Sequence, residues 1–338
     1  MPRTCRPLCH SWLRNARLGV LGALLTMLPG VAAQAQDYPT RNVTIVVPLA
    51  AGSGMDSIVR IYAEDLGKAL GKAVVVENKP GAALMLAASA VARAEPDGHT
   101  LVVASAPVLA VNPTLYKKVQ YDAAKDVVPI ALYAKSPFVL ITAPGFGAGT
   151  VKDYIKMAQA AANPVTFATT GAGTLQYLTM EVLKRDHKFP AAHVAYKSPP
   201  QIATDVLGGH VASSISETGA ALGLITEGKL KALAVTSSTP LASLPKVPTM
   251  AEALGMPGFE AVSWHVLLAP SATPPPIVAR LHAVMQAITG DPAFQKRVAD
   301  IGLMPLAPRS VAEIEGYIKA ERERWGKVVT ELGLAGTL

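Results

Sequence analysis

The stretch "VTIVVPLAAGSGMDSIVRIYAEDL" (residues 43–66) joins a Val/Ile-rich strand to an amphipathic helix through a glycine-rich turn. The stretch "VTFATTGAGTLQYLTMEVL" (165–183) has the same order of features. A helix start offers unpaired backbone N–H groups and the positive end of a dipole, so it attracts anions. If these two turns face each other, they can hold one anion between them.

Strand-like and helix-like segments alternate along most of the chain, which predicts an α/β fold with mostly parallel sheets flanked by helices. The strand segments are rich in valine and isoleucine, as expected for sheets buried on both faces. The predicted strands are 42–48, 73–78, 100–105, 128–144 (one long strand or a pair), 165–170, 192–196, 211–216, 230–237 and 263–270, and the predicted helices are 54–70, 82–94, 150–162, 173–186, 199–208, 218–227, 275–289, 291–301 and 310–333.

A length of 338 residues is typical of about two domains. The turn-rich stretch 237–261 contains four prolines and is interpreted as a crossover, after which the last helices return to the first lobe. We therefore predict lobe 1 at 36–138 and 240–338 and lobe 2 at 139–239. Ligands of open α/β sheets bind at the carboxyl ends of the strands, so two such lobes share one cleft.

The N-terminal segment has the pattern of a secretory signal peptide. Four arginines precede a short apolar run at 18–28, and Ala33-Gln34-Ala35 follows as a small-residue cleavage site. The apolar run is too short for a membrane span. We expect residues 1–35 to be removed, with cleavage after Ala33 as the alternative, and the mature protein to be soluble in the periplasm.

Charge and cysteine content exclude several functions once the leader is removed. The chain has 31 basic and 24 acidic residues, and the leader carries four arginines and no acid, so 27 against 24 leaves a net charge of +3. Dense basic stripes with interleaved aromatic residues are absent, which argues against nucleic-acid binding. Cys5 and Cys9 both lie in the leader, so the mature chain has no disulfide and no thiolate site, and we expect a monomer.

The two glycine turns differ from established phosphate loops. Gly52-Ser53-Gly54 lacks both a P-loop lysine and the full dinucleotide fingerprint, as does Gly171-Ala172-Gly173. Taken alone, each turn is typical of an ordinary strand–helix connection. Together, their backbone amides suit a carboxylate better than a polyphosphate, and so do the neighbouring hydroxyls, which belong to Ser53, Ser57, Thr169, Thr170 and Thr174.

The chain lacks the motifs of common enzymes. There is no Gly-x-Ser-x-Gly elbow and no His-Glu-x-x-His sequence, and the six histidines beyond the leader have no metal-ligand spacing. We therefore expect no catalytic residue, no metal and no cofactor. A Ser/His/Asp set assembled from distant positions, as in a periplasmic hydrolase, is the enzymatic alternative.

Several segments together resemble the periplasmic solute-binding receptors of tripartite tricarboxylate transporters, often called Bug receptors. The similarity runs from about Tyr38 to about Leu334. The segments that carry it are "YPTRNVTIVVPLAAGSGMD", "VVVENKPGA", "PDGHTLVVAS", "NPTLYKKVQYDAAKDVVPI", "HVAYKS", "DVLGGHV", "GKLKALAVTSSTPLASLPKVPTMAE" and "LLAPSATPPPIVARL".

The resemblance implies a two-lobed type II periplasmic binding protein fold, the Venus flytrap, with two crossover strands. It also implies a carboxylate held between the first strand–helix loop and the glycine loop of the second lobe. The first loop departs from the family pattern Pro-Phe-x-Pro-Gly-Gly-x-x-Asp, because residues 48–56 read "PLAAGSGMD". Ser105-Ala106, Ser216-Glu217 and the stretch "ALMLA" (83–87) also replace more usual residues, so we expect a more apolar pocket.

The candidate ligand contacts follow from this combination. Asp56 either caps its helix or accepts a hydrogen bond from the ligand or a water, Lys197 either pairs with an acid or is structural, and Glu217 either accepts an amine or hydroxyl or caps the next helix. The predicted contacts are Leu49, Gly52, Ser53, Gly54, Met55, Asp56 and Ser105 in lobe 1, and Thr170, Gly171, Gly173, Thr174, Tyr196, Lys197, Ser216 and Glu217 in lobe 2.

The sequence thus predicts a binding protein that captures a small organic acid. The family resemblance implies delivery to the integral membrane subunits of a tripartite transporter. A receptor that signals to a membrane sensor is a further alternative on the same fold.

Overall fold

The first stretch folds as a strand, a turn and a helix. Strand β1 spans Val43–Val47 and helix α1 spans Gly54–Leu70. The Ser53 side chain caps α1 by accepting the backbone N–H of Asp56, and Gly71 ends the helix in the left-handed conformation at a φ of 72°. Apolar residues at helical spacing bury one face of α1, namely Ile58, Val59, Tyr62, Leu66 and Leu70.

The computed structural model describes residues 38–81, 84–197 and 199–338. The predicted signal peptide at 1–35 lies outside the described residues, as does part of the stretch 83–87. Residues 39–338 form one compact unit. Within the described ranges, no helix combines the length and the apolar character needed to cross a bilayer.

The first sheet has six strands. Besides β1, these are β2 (Val74–Asn78), β3 (Thr100–Ser105), β4 (Val127–Ser136), β10 (Ser263–Pro270) and β11 (Met304–Pro305). Their order is β11-β4-β10-β3-β1-β2. Strand β10 is buried at every position, so it lies in the middle of the core.

The second sheet has five strands. They are β5 (Phe138–Thr142), β6 (Val165–Thr169), β7 (Ala191–Ala195), β8 (Ser213–Glu217) and β9 (Lys231–Val235). Their order is β7-β6-β8-β5-β9. The predicted segment 128–144 is therefore a pair of strands, β4 and β5, which Pro137 joins and which belong to different sheets.

Both sheets are mixed, which corrects the expectation that they are mostly parallel. Strands β1, β2 and β3 are mutually parallel, and β6 is parallel to β7 and β8. The strands that connect or follow the two halves are antiparallel to their neighbours, and they are β4, β5, β9, β10 and β11. A buried Val/Ile-rich run reads the same in either direction, so composition did not reveal this difference.

Helices cover the sheets, and the last of them packs on the first sheet. Beyond α1 they are α2 (Met85–Ala92), α3 (Asn112–Leu115), α4 (Val151–Ala160), α5 (Leu175–His187), α6 (Pro199–Leu207), α7 (Thr218–Thr226), α8 (Met250–Leu254), α9 (Pro275–Gly290), α10 (Pro292–Asp300) and α11 (Val311–Glu331). A π-helical turn, Pro107–Val111, precedes α3, and a 3-10 turn spans Pro144–Phe146. Trp264 Nε1 of β10 donates to Glu321 Oε2 of α11 at 3.0 Å.

The passage between the sheets is tied to the start of α7. The backbone N–H and the hydroxyl of Thr218 both donate to the carbonyl of Pro137, at 3.1 and 3.0 Å. Phe138 N–H in turn donates to Thr236 Oγ1 at 3.0 Å. These bonds fix the position of α7 relative to the crossing, which matters because α7 forms one wall of the candidate site.

Candidate functional site

A cavity of about 810 Å³ lies beside the first glycine turn. Its lining segments are connected to strands of both sheets. This volume suits a small-molecule ligand. One wall is the turn at 50–54, the second is the junction of β8 and α7, and the third is the segment 300–303. The lining residues are Ala50, Ala51, Gly52, Ser53, Gly54, Ser57, Ser136, Pro199, Pro200, Glu217, Gly219, Ala220, Leu222, Gly223, Thr226, Asp300, Ile301 and Leu303.

The first glycine turn is shaped by the buried carboxylate of Asp56. The N–H of Gly52 donates to Asp56 Oδ2 at 2.9 Å, and Arg60 Nε donates to the same oxygen at 3.0 Å. Asn78 Nδ2 donates to Asp56 Oδ1 at 3.0 Å and to the carbonyl of Leu49 at 2.8 Å. The turn is therefore anchored to the end of β2 as well as to its own helix.

These contacts decide between the two interpretations of Asp56. Its side chain is 3% exposed, so it supports the turn from behind instead of lining the cavity. Burial raises the pKa of Asp56, but hydrogen bonds from Arg60, Gly52 and Asn78 outweigh that effect and hold the pKa below its usual value. Asp56 is a positioning residue for the turn, and its bond to Gly52 occupies one of the amides predicted to hold a ligand.

Two helices begin at the cavity. Gly54 is the first residue of α1, and Gly219 and Ala220 lie in the first turn of α7. In the described part of the chain, the backbone N–H groups of Gly54 and Met55 have no hydrogen-bond acceptor. Such groups and the positive ends of two helix dipoles favour an anion at this place.

Glu217 ends β8 at the cavity wall and is half-buried. It occupies the N-cap position of α7, but its side chain makes no capping hydrogen bond, which removes the capping interpretation. Across residues 38–81, 84–197 and 199–338, its carboxylate has neither an ion pair nor a hydrogen bond. Burial raises the pKa of Glu217 above its usual value because the charged form loses water.

The cavity has little charge otherwise. Asp300 is the second acidic residue of the lining, and it pairs with Lys296 at 2.7 Å on the exposed surface. Among the described residues, no lysine or arginine lines the cavity. The remaining lining is dominated by small and apolar residues, as expected from the departures in the first loop.

The second and third walls, α7 and the segment 300–303, contact each other through backbone atoms. A Cβ on Gly219 of α7 would lie 2.6 Å from the carbonyl oxygen of Ile301, and a Cβ on Gly302 would lie 2.9 Å from the Cα of Gly219. Gly302 also has a φ of 80°, which favours glycine. No side chain fits between these segments, so α7 and the loop after α10 approach as closely as backbones can.

The second glycine turn lies outside the cavity lining. Thr174 caps α5 by accepting the N–H of Tyr177 at 3.3 Å, and its hydroxyl donates to the carbonyl of Gly171 at 2.7 Å. A Cβ on Gly173 would lie 3.4 Å from Leu115 and from the Tyr116 hydroxyl. The second turn thus faces α3 across the two halves, and the helix start opposite α1 is that of α7. This corrects the expectation that the two glycine turns face each other.

The other predicted contacts divide by burial. The side chains of Met55, Ser105 and Ser216 are buried away from the cavity, and Ser216 Oγ bonds Ser214 Oγ at 3.0 Å. Thr170 is half-buried, whereas Tyr196 donates its hydroxyl to Asp205 at 2.8 Å. Lys197 is exposed and forms no ion pair with any described residue. Of the predicted set, Gly52, Ser53, Gly54 and Glu217 line the cavity together.

Sequence reasoning missed the third wall. Ile301 and Leu303 follow α10 and belong to no sequence motif. Leu222 of the second wall was also missed, because it has the pattern of an ordinary helix residue. The one available signal was Gly302, whose place after a predicted helix indicated a helix end. That signal says nothing about its neighbour in space, Gly219, which lies far away along the chain.

The family model described as "Tripartite tricarboxylate transporter family receptor" matches residues 58–334. The chain belongs to this family. A UPF0065 protein of Bordetella bronchiseptica is 35% identical to the receptor over 295 residues, covering 87% of each chain. Protein BugT of Bordetella pertussis is 33% identical over 319 residues, covering 94% of the receptor and 97% of BugT. The predicted Bug-type family membership is confirmed.

Solved structures of similar proteins confirm the two-lobed fold of the receptor. Rpa4515 of R. palustris with adipate has a TM-score of 0.82 and 30% identity, covering 88% of the receptor and 99% of that chain. The periplasmic binding protein BugD has a TM-score of 0.79 and 33% identity, with the same coverage. MatC from Rhodopseudomonas palustris with bound malate has a TM-score of 0.77 and 31% identity, covering 86% of the receptor and all of MatC. Receptors of this family are periplasmic, bind solutes and are generally not enzymes.

Proposed function

We propose that this receptor captures a small organic carboxylate in the cavity between its lobes and delivers it to the integral membrane subunits of a tripartite transporter. The observation that carries the proposal is the meeting of two helix starts, α1 and α7, at one cavity. Each offers backbone N–H groups to an anion. The adipate and malate bound to the similar proteins are organic carboxylates of the expected class.

The carboxylate accepts hydrogen bonds from Gly54 and Met55 in this proposal, while Ser53 and Ser57 add hydroxyls. Asp56 keeps the turn in the shape that presents those amides. The predicted contacts at Gly171–Thr174 lie outside the cavity lining and are not part of this proposal. We place the lobe boundaries at 138/139 and 239/240, next to Pro137 and after β9.

An enzymatic role finds no support in the arrangement of histidines. Asp97, His99 and Thr40 lie together, with His99 Nδ1 3.2 Å from Asp97. However, His99 Nε2 accepts the backbone N–H of Thr40 at 3.1 Å, so this nitrogen is not available as a base. The group also lies before β1 and β3, at the opposite end of these strands from the cavity. Signalling to a membrane sensor remains the second candidate output, and capture of the transporter subunits on the liganded receptor distinguishes the two.

The mature receptor in this proposal is a periplasmic monomer that starts after Ala35. The leader pattern and the absence of cysteine after Cys9 support it. Intact mass of periplasmic protein, combined with light scattering, tests both points. A mass that includes the leader, or a stable dimer, contradicts the proposal for localisation or for oligomeric state.

The anion site is tested by a matched pair of variants at Gly54. A proline there removes one N–H, and the first position of a helix tolerates proline, particularly after Ser53 with its extended ψ of 158°. Gly54→Pro should weaken carboxylate binding by about 10- to 100-fold through loss of one charge-assisted hydrogen bond. Gly54→Ala keeps the N–H, and its Cβ meets nothing within 4 Å, so it should bind as wild type does.

Calorimetric titration with adipate, malate, hexanoate and 6-aminohexanoate provides the readout. Binding of at least one carboxylate that Gly54→Pro weakens and Gly54→Ala preserves supports the proposal. If no carboxylate binds, or if Gly54→Pro binds as wild type does with an unchanged melting temperature, the proposed function is wrong.

A further inference from the structure

The carboxylate of Glu217 is the one charge of the cavity wall that has no partner within the described ranges. Asp300, the other acid of the lining, is neutralised by Lys296 at its Oδ2, 2.7 Å away. Glu217 contacts no cation, and its side chain does not cap α7. No cation of the described chain neutralises this charge, which has only the dipole of α7 beside it.

The surroundings of Glu217 make an unpaired carboxylate costly. The residue is half-buried at the end of β8, and the cavity that it lines is also lined by the apolar residues Leu222, Ile301 and Leu303. Burial raises its pKa because the ionised form is poorly solvated there. A buried charge without a partner is retained in proteins chiefly where a ligand supplies the partner.

The same charge disfavours a ligand with two carboxylates. One carboxylate of such a ligand can lie at the start of α1, but the other then meets the apolar walls or Glu217, which is the N-cap residue of α7. Like charges in a poorly solvated site repel each other strongly. Since no lysine or arginine of the described chain lines the cavity, nothing there compensates for this repulsion.

We propose that the cavity selects amino carboxylates: ligands with a carboxylate for the start of α1, an apolar body, and an ammonium group that pairs with Glu217 at the start of α7. This inference rests on the proposed function and adds the second half of the ligand. The ammonium donates to the carboxylate of Glu217, and the apolar body packs against Leu222, Ile301 and Leu303. Glu217 thus determines specificity, whereas Gly54 and Met55 supply general affinity for carboxylates.

Two ligand triads of matched length test the inference. The first is hexanoate, 6-aminohexanoate and adipate, and the second is butyrate, 4-aminobutyrate and succinate. Each triad keeps one carboxylate and places a methyl group, an ammonium or a second carboxylate at the other end. Wild-type protein should bind one of the amino acids about 30-fold or more tightly than either partner of its triad, as for a charge pair formed in a poorly solvated site.

The variants Glu217→Gln and Glu227→Gln provide the matched comparison. Both remove one acidic charge from an end of α7, but Glu227 is exposed, pairs with Lys229 at 2.7 Å and lies outside the cavity lining. Glu217→Gln should abolish the preference for the amino acid and improve binding of the dicarboxylate, because its amide donates to a carboxylate. Glu227→Gln should keep the wild-type preference.

The outcomes separate this inference from the function on which it rests. If wild type binds the dicarboxylate or the plain carboxylate as tightly as the amino acid, the inference is wrong and the carboxylate receptor stands. The same holds if Glu217→Gln keeps the ammonium preference. If no member of either triad binds to wild type but malate does, the inference is wrong and the carboxylate receptor stands. If malate also fails to bind, both the inference and the proposed function are overturned.

Discussion

Asp56 shows how one buried charge can shape a binding loop without touching the ligand. We expect Asp56→Ala to lower the free energy of unfolding by about 2–3 kcal/mol, because Gly52 N–H, Asn78 and Arg60 lose a shared acceptor. Urea denaturation measures the change. Glu64→Gln on the same helix is the control, because the side chain of Glu64 is 68% exposed. This variant should leave the free energy of unfolding unchanged. Equal stability of both variants contradicts this account of the turn.

His265 makes stability depend on pH. It is fully buried on β10, its ring lies 6.1 Å from that of Tyr133, and its Nδ1 has no partner in the described chain. Burial lowers its pKa from 6.5 to about 4. The unfolded chain therefore takes up the proton first as the pH falls, and stability present above about pH 6.5 is lost between about pH 6.5 and pH 4.

From about pH 7 to about pH 5, this linkage should cost wild type about 2 kcal/mol of unfolding free energy. His265→Phe removes the titrating group and keeps a ring beside Tyr133, so its loss over the same interval should be smaller by that amount. Urea denaturation of both proteins at the two pH values measures it. Parallel losses in the two proteins count against a buried neutral histidine.

Among the helices, α7 is where the close contact between two cavity walls can be tested. A Cβ on Gly219 would lie 2.6 Å from the carbonyl oxygen of Ile301, whereas a Cβ on Gly223 meets nothing within 4 Å. Gly219→Ala should hold the two walls apart and weaken ligand binding by about tenfold or more, if relief of the overlap costs about 1–3 kcal/mol. Gly223→Ala should bind normally and gain roughly 0.5–1 kcal/mol of stability from its better helix propensity.

Calorimetric titration and thermal melting of both alanine variants give the answer with whichever carboxylate binds wild type. A loss of affinity in Gly219→Ala without a loss of stability supports a role in ligand binding for the contact between Gly219 and Gly302. Equal affinity in the two variants contradicts that role for the Gly219–Gly302 contact.

Most elements could be predicted because their signals are local. The range of α1 follows from Ser53 as cap, its apolar periodicity and Gly71 as stop, and the prediction of 54–70 matches the observed bounds. The π-helical turn and α3 were missed because Pro107 and Pro113 indicate breaks, although both prolines occupy the early positions where helices accept them. The short α8 and β11 carry too few residues for a periodic pattern.

The candidate site could be predicted only in part, because its arrangement depends on contacts between residues that are distant in the sequence. Gly52, Ser53 and Gly54 could be predicted because they form a glycine-rich turn between a strand and a helix. Glu217 could be predicted because it stands at the end of a strand. Which helix start faces α1 depends on the order β7-β6-β8-β5-β9, which places β8 and not β6 beside the crossing strand β5. Strand order is a property of long-range pairing, so no local pattern distinguished the start of α7 from that of α5.

The two sheets are joined by two chain crossings, and on this basis we expect them to move relative to each other. The chain crosses at Pro137, between β4 and β5, and returns between β9 and β10. Rotation at a few such residues opens or closes a cleft. Small-angle scattering should therefore give a smaller radius of gyration with 6-aminohexanoate bound than without ligand. Confirmed binding with an unchanged radius indicates a rigid receptor.

The anchoring of the first turn by Asp56 also has an evolutionary consequence. Because Gly52, Arg60 and Asn78 fix the turn in the absence of any ligand, the amides at Gly54 and Met55 keep their positions whatever residue stands at position 217. Under our proposal, exchange of the single residue at position 217 changes the preferred ligand and leaves the residues that hold the carboxylate unchanged. Related receptors with this separation of roles can then evolve different ligand specificities by single substitutions on an unchanged scaffold.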